Sequence, residues 1–213
     1  MGRMSGNWKY NFETFGGILE TLEQEPLAEN TQPVEESASW KRFFLDIFET
    51  LILAVILFVG INAVSARVRV DGFSMRPTLD DGEFVLVSKL SYKFGDFNHG
   101  DIIVFHFPLN PQEELIKRVI GVPGDTIRVQ DQRVFVNGQQ LNETYIAHPP
   151  QYSGEWTVPD GYLFVLGDNR NNSNDSKDWG MLPQENVVGK AILIYWPPPM
   201  WNVLDHPEVV ASQ

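Results

Sequence analysis

The sequence predicts a mainly β protein, with antiparallel sheets folded into a barrel-like domain and one transmembrane helix ahead of them. Three observations carry that expectation. An apolar run, FFLDIFETLILAVILFVGINAVSA, starts at Phe43 and has no polar face. After Ala66 the pattern breaks into short stretches rich in β-branched and aromatic residues, divided by Gly, Pro, Asp and Asn. No sustained helical period follows residue 66.

The chain opens with an acidic, polar stretch, residues 1–39, in which Glu13, Glu20, Glu23, Glu25, Glu29, Glu35 and Glu36 outweigh Arg3 and Lys9. Such a composition predicts a disordered tail. Residues 40–66 form the second segment. From Phe43 to Val64 a helix reaches about 33 Å, enough for a hydrocarbon core of about 30 Å. Asp46 and Glu49 lie in its first turns, where carboxylates reach headgroup water and suit the positive end of the helix dipole. A buried core helix is one alternative. A cleavable signal peptide is another, since Val64-Ser65-Ala66 ends in small residues. An acidic leading region about forty residues long argues against cleavage. Lys41 and Arg42 on one side and Arg67 and Arg69 on the other leave orientation undecided by charge.

Residues 67–213 form the β domain. Strands are expected at RVRV (67–70), EFVLVSKL (83–90), DIIVFHF (101–107), TIRVQ (126–130), RVFVNG (133–138), GYLFVLG (161–167) and AILIYW (191–196). Turn signals such as Asp80-Asp81-Gly82 and Pro123-Gly124-Asp125 separate them. TIRVQ-DQ-RVFV reads as a hairpin across Asp131-Gln132. Residues 139–160 read as an irregular excursion, and the prolines of YWPPP end the last strand.

Bulk numbers remove several functions. A net charge of −12 over 213 residues disfavours nucleic-acid binding. With no cysteine there is no thiol chemistry and no Cys-type zinc site. The four histidines sit at no metal-binding spacing, so neither metal nor cofactor is expected.

Two residues carry candidate chemistry. Ser74, in DGFSMRPTL (71–79), follows a Gly turn and precedes a Pro, which presents a hydroxyl at a strand end. Its surroundings do not match the GxSxG elbow. A serine nucleophile needs a base, and neither His99 nor His106 has a motif around it. Lysine can serve if it is neutral. A free lysine is only roughly 0.4 % deprotonated at pH 8, but burial lowers its pKa by several units. Lys117, in LIKRVIG (115–121), has that apolar setting. A serine in a turn and a lysine in a half-buried strand are the plain structural readings of the same residues.

Taken together, DGFSMRPTL, HGDIIVF (99–105), KRVIGVPGDTI (117–127) and GDNRNNSNDSKDWG (167–180) resemble, in order, the sequence boxes of type I signal peptidases, membrane-bound serine endopeptidases with a serine–lysine dyad. The resemblance runs over residues 43–196 and is nearest to cyanobacterial or Gram-positive members with one anchor. It implies that Ser74 is the nucleophile and Lys117 the general base. Ser173 would orient the lysine amine, and Arg118, Asp168, Asp175 and Lys177 would support the site. Lys177 stands where many members have Arg. The plain alternative for Asp168, Asn169, Arg170 and Asp175 is a well-bonded surface loop. Some members carry a serine two residues before the nucleophile as an oxyanion donor. Here that position is Gly72, which leaves the Ser74 backbone N–H with a backbone or water partner.

The implied substrates are signal peptides of exported preproteins, cut after small residues and docked as an added β-strand. The implied setting is the inner or plasma membrane, or a thylakoid membrane, crossed once with the N-terminus cytoplasmic and the catalytic domain outside. Phe73, Met75, Trp196, Met200 and Trp201 are candidates for contact with the bilayer surface. Two other functions fit parts of the pattern: a membrane-tethered β domain that binds without catalysis, and a self-cleaving Ser/Lys peptidase of repressor type.

Overall fold

A computed structural model describes residues 36–204, with side chains from Trp40 onward. Most of the expected acidic tail, 1–35, lies outside the described residues, as do 205–213.

The apolar run forms helix α1 (Glu36–Val64). A helix satisfies its backbone polar groups internally, so apolar side chains can cover it all round. They do: Leu53 is 65% and Phe58 64% exposed. A core helix would bury such residues. The stretch Trp40–Val64 is long and apolar enough to cross a membrane.

The remainder is mainly β. Strand β1 (Ser65–Arg69) starts at the residue after α1. The larger sheet runs β1–β2–β11–β3–β4–β9–β10, with β12 (Asn202–Val203) beside β11 (Val187–Trp196). Its other members are β2 (Phe84–Ser88), β3 (Ile102–Phe107), β4 (Asn110–Gly121), β9 (Tyr162–Leu166) and β10 (Leu182–Pro183). A second sheet, β7–β6–β5–β8, holds β5 (Thr126–Gln130), β6 (Arg133–Val136), β7 (Gln139–Gln140) and β8 (Gly154–Thr157). All described pairings are antiparallel. The larger sheet is open, with β1 and β10 as its edges, so the expected barrel-like folding does not reach closure.

The expected hairpin is present: Gln130 pairs with Arg133, and Asp131 and Gln132 have φ of 50° and 61°. That conformation matches the strand twist in a two-residue turn. Two expectations need correction. Residues 139–160 are not wholly irregular, because β8 pairs with β5 from Gly154↔Val129 to Thr157↔Thr126. Residues 110–121, absent from the expected strands, form β4, which starts at Asn110 and carries Lys117. Its first half is exposed and lacks the alternation that announces a strand.

Three apolar clusters hold the domain. Val70, Met75, Leu79, Val85, Val104 and Ile116 belong to the one that underlies Ser74. Ile127, Val129, Val134, Phe164 and Leu166 join the two sheets. Ile103, Phe105, Val119 and Leu163 form the third. One register row crosses the large sheet from the end of α1: Ser65↔Ser88, Ser88↔Lys190, Lys190↔Ile103, Ile103↔Lys117.

Candidate active site

Ser74 sits in the 70–83 loop. Val70 N–H donates to Glu83 O (2.8 Å) and Gly82 N–H to Val70 O (2.9 Å), which closes the loop at its base. Gly72 has φ +94°, a conformation that L side chains rarely adopt. Just past Ser74, Met75 is 2% and Leu79 0% exposed, so two apolar anchors fix the backbone carrying the hydroxyl. Burial of Met75 removes it from the candidates for bilayer contact. The loop is also tied to the far end of the chain: Asn169 N–H donates to Ser74 O (2.9 Å) and Asn169 Nδ2 to Phe73 O (3.1 Å).

Lys117 reaches the same point from β4. Successive side chains leave a strand on opposite faces, which separates Lys117 from Arg118. Lys117 is 3% exposed, and its Nζ donates to Ser74 Oγ (2.8 Å) and Ile116 O (3.0 Å). No carboxylate forms an ion pair with it among the described residues. Burial lowers its pKa from 10.5 to about 8; Asp175 opposes the fall and the Lys177 charge reinforces it. Ser74 and Lys117 line one cleft together with Arg69, Val70, Asp71, Gly72, Met75, Glu114, Leu115 and Ile116. Its walls are the end of β1 and the middle of β4. β1 is a sheet edge, and β4 pairs with β9 only at residues 118–121.

Arg118 is 1% exposed and saturated. Its Nε and Nη2 bind Asp168 Oδ1 (2.9 Å) and Oδ2 (2.7 Å), its Nη1 donates to Gly100 O (2.9 Å), and its guanidinium stacks 4.0 Å over Tyr145. Asp168 also accepts from Thr78 Oγ1 (2.5 Å), within the serine loop itself. Arg170 pairs with Glu143 (2.5 Å) and donates to Gly167 O (3.1 Å). The plain expectation of a surface loop is therefore incorrect. Asp168, Arg170 and Asp175 are all buried, because neighbouring charges and donors compensate them.

Asp175 accepts from Gly167 N–H (3.0 Å) and from Lys177 N–H (3.3 Å), and caps the short helix α3 (Ser176–Trp179) in a capping box with Asp178. Lys177 Nζ binds Ser173 O, Asp175 Oδ1 (3.2 Å) and Asp178 Oδ2 (2.9 Å). The ammonium is thus held by two carboxylates and one backbone carbonyl.

Two expected roles meet a different geometry. Ser173 makes no bond to Lys117 among the described residues; its Oγ is buried and has no partner there. It lies close by, since a Cβ on Gly167 would stand 2.2 Å from Ser173 Oγ and 2.5 Å from Ser74 O. Only glycine permits that approach. Gly72 borders the cleft, but its N–H is already donated to Asp81 Oδ1 (2.8 Å). The Ser74 N–H donates to no acceptor among the described residues. Sequence reasoning missed Thr78, Glu143 and Tyr145. Glu143 and Tyr145 lie in the irregular segment with no motif around them, so no sequence signal marks them.

A family model described as signal peptidase, peptidase S26, matches residues 41–196. A probable signal peptidase I-2 from Synechocystis sp. is 40% identical over 198 residues, 88% of this chain and 86% of its own. A signal peptidase I from Leptolyngbya laminosa is 43% identical over 179 residues, 78% of this chain and 88% of its own. The chloroplastic thylakoidal processing peptidase 1 of Arabidopsis thaliana is 39% identical over 148 residues, 64% of this chain and 44% of its own. These matches define the class, a serine endopeptidase. The chain belongs to the signal peptidase family, peptidase S26, and is a signal-peptide-cleaving peptidase.

Proposed function

We propose that the protein removes signal peptides with Ser74 as nucleophile and Lys117 as general base, from a domain (67–213) tethered by a single span (40–66). The observation that carries this reading is the 2.8 Å contact between Lys117 Nζ and Ser74 Oγ at a lysine whose pKa is lowered to about 8. At that pKa about half the lysine is neutral at pH 8. A charged amine donates to Oγ; a neutral one accepts the hydroxyl proton at the same separation.

In the first half-reaction Ser74 Oγ attacks the scissile carbonyl carbon as its proton passes to Lys117 Nζ. The oxyanion faces the free Ser74 N–H. Lys117 then gives the proton to the leaving amine, the C–N bond breaks, and an ester joins the signal peptide to Ser74. In the second, Lys117 takes a proton from water, the hydroxide attacks the ester, and the proton returns to Ser74 Oγ as the C–O bond breaks; the signal peptide leaves as a carboxylic acid that ionises in solvent. A charged Lys117 has a third N–H beyond those given to Ser74 and Ile116, and the unpartnered Ser173 hydroxyl is its proposed acceptor. Arg118, Asp168, Asp175 and Lys177 act as supports: they fix Gly167–Asn169, to which the serine loop is bound.

The cleft between the free edges of β1 and β4 suits a substrate added as an extended strand. Val70, Met75 and Ile116 give its floor an apolar surface close to the backbone, which favours small residues before the cut. The proposed topology has the N-terminus cytoplasmic and the domain extracytoplasmic, in a plasma or thylakoid membrane. Exposed Phe73, Trp196, Met200 and Trp201 are available to the bilayer surface.

The test is processing of one preprotein by the full chain in detergent micelles. Ser74→Ala and Lys117→Ala are each expected to lower kcat at least about 1000-fold while far-UV circular dichroism is unchanged. Normal processing by either variant contradicts the mechanism.

A further inference from the structure

We infer that the turn Leu90–Phe94 is a second membrane contact, in which Phe94 enters the bilayer interface and Lys89 and Lys93 bind the phosphates of anionic lipid headgroups. The inference rests on the reading of α1 as a membrane span, and the chain connection sets where the contact falls. α1 ends at Val64 and β1 begins at Ser65 with no linker. Ser65 pairs with Ser88, Lys89 N–H donates to Val64 O (2.9 Å), and Lys89 Nζ lies 3.4 Å from Asn62 O. Lys89 therefore sits beside the last turn of the span, wherever the rest of the domain points.

The chain runs from Lys89 straight into the single turn α2 (Ser91–Phe94). Phe94 is 86% exposed, the most exposed large hydrophobic side chain among the described residues. It is not a loose end. The adjacent Tyr92 ring stacks on Phe97 at 4.0 Å, and its hydroxyl donates to Asp101 Oδ2 (2.9 Å). Lys93 is exposed, and Lys89 and Lys93 border the same groove beside Tyr92 and Phe97. Glu185 also lines that groove and Asp96 is exposed nearby, while Asp101 is neutralised by Lys190 at 2.6 Å. Exposed Arg67, two residues beyond Ser65, adds a third cation to this end of the domain.

An aromatic ring with flanking lysines, next to the end of a span, matches the interface: the ring sits at headgroup depth and the lysine stems extend to phosphate. Anionic headgroups are favoured because the cations gather here on a chain of net charge −12. A span alone leaves the domain free to rotate about the helix axis. A second contact at α2 removes that freedom and holds the cleft at one height and azimuth over the bilayer.

The absence of cysteine makes single-site labelling direct. A nitroxide is attached to Ile56→Cys, Phe94→Cys or Arg133→Cys in the full chain, reconstituted in phosphatidylcholine vesicles with or without phosphatidylglycerol. Accessibility to oxygen is compared with accessibility to a water-soluble nickel chelate. Position 56, within the span, and position 94 are expected to favour oxygen, and exposed position 133 to favour nickel. Phosphatidylglycerol is expected to deepen position 94, and Lys89→Gln/Lys93→Gln to abolish that deepening. If 56 favours oxygen while 94 reads like 133, the second contact is overturned and the span stands. If 56 reads like 133, both fall. Depth at 94 indifferent to phosphatidylglycerol and to the lysines overturns the headgroup assignment.

Discussion

Lys117 and Arg118 are consecutive residues of one strand, 3% and 1% exposed, and the protein treats their charges in opposite ways. Arg118 receives a bidentate carboxylate, a carbonyl and an aromatic face. Lys117 receives a serine hydroxyl and a carbonyl, with no ion-pair partner among the described residues. The guanidinium is matched by a buried carboxylate, whereas the amine is pushed toward neutrality. Burial alone therefore does not make a base. In the proposed mechanism the buried cation without a counter-ion serves as the base, and the neighbour with a counter-ion serves as support.

The sharpest way to break the comparison is to remove each charge in turn. Arg118→Met leaves Asp168 buried without its partner and is expected to cost about 3–5 kcal/mol in urea unfolding. Lys117→Met should do the reverse. The charged lysine is disfavoured in the folded state, because its pKa falls from 10.5 to about 8. That penalty is complete below pH 8 and is relieved as pH rises toward 10.5, where the unfolded chain also loses its proton. Lys117→Met is thus expected to stabilise by up to about 3 kcal/mol at pH 7, with the gain fading by pH 10. Equal losses from both substitutions would refute the distinction.

A second test pushes the scaffold into the site. Gly167→Ala sets a methyl group 2.2 Å from Ser173 Oγ and 2.5 Å from Ser74 O. The strain is expected to cost about 1–3 kcal/mol, and the displaced serine about 100-fold in kcat. Unchanged kcat would mean that the nucleophile does not depend on this packing.

The smallest effect sharpens the electrostatics. Lys177 lowers the Lys117 pKa and Asp175 raises it. Lys177→Gln removes the first influence and bares the second, so the pH–rate profile should move to higher pH. A shift to lower pH would contradict the account.

Much of this arrangement is legible in the residues. Alternation and turn chemistry mark β5, β6 and their Asp131-Gln132 turn, because each local preference agrees with the fold. The first half of β4 is not legible: Pro111, Glu113 and Glu114 belong to an exposed free edge, where no buried face imposes a pattern. Ser74 and Lys117 are 43 residues apart, and only the ordered boxes join them in the sequence. Glu143 and Tyr145 are invisible there, because their partners Arg118 and Arg170 are brought to them by tertiary packing alone. The commitment of Gly72 N–H to Asp81 is likewise a matter of loop closure, which spacing does not reveal.

The central claim is that a desolvated Lys117 is the base for Ser74, and the pH dependence of kcat/KM for one preprotein tests it most directly. The account predicts a rise with an apparent pKa near 8, carried by the deprotonated lysine and lost in Lys117→Ala. A profile flat through that range, or one that survives in Lys117→Ala, would contradict it.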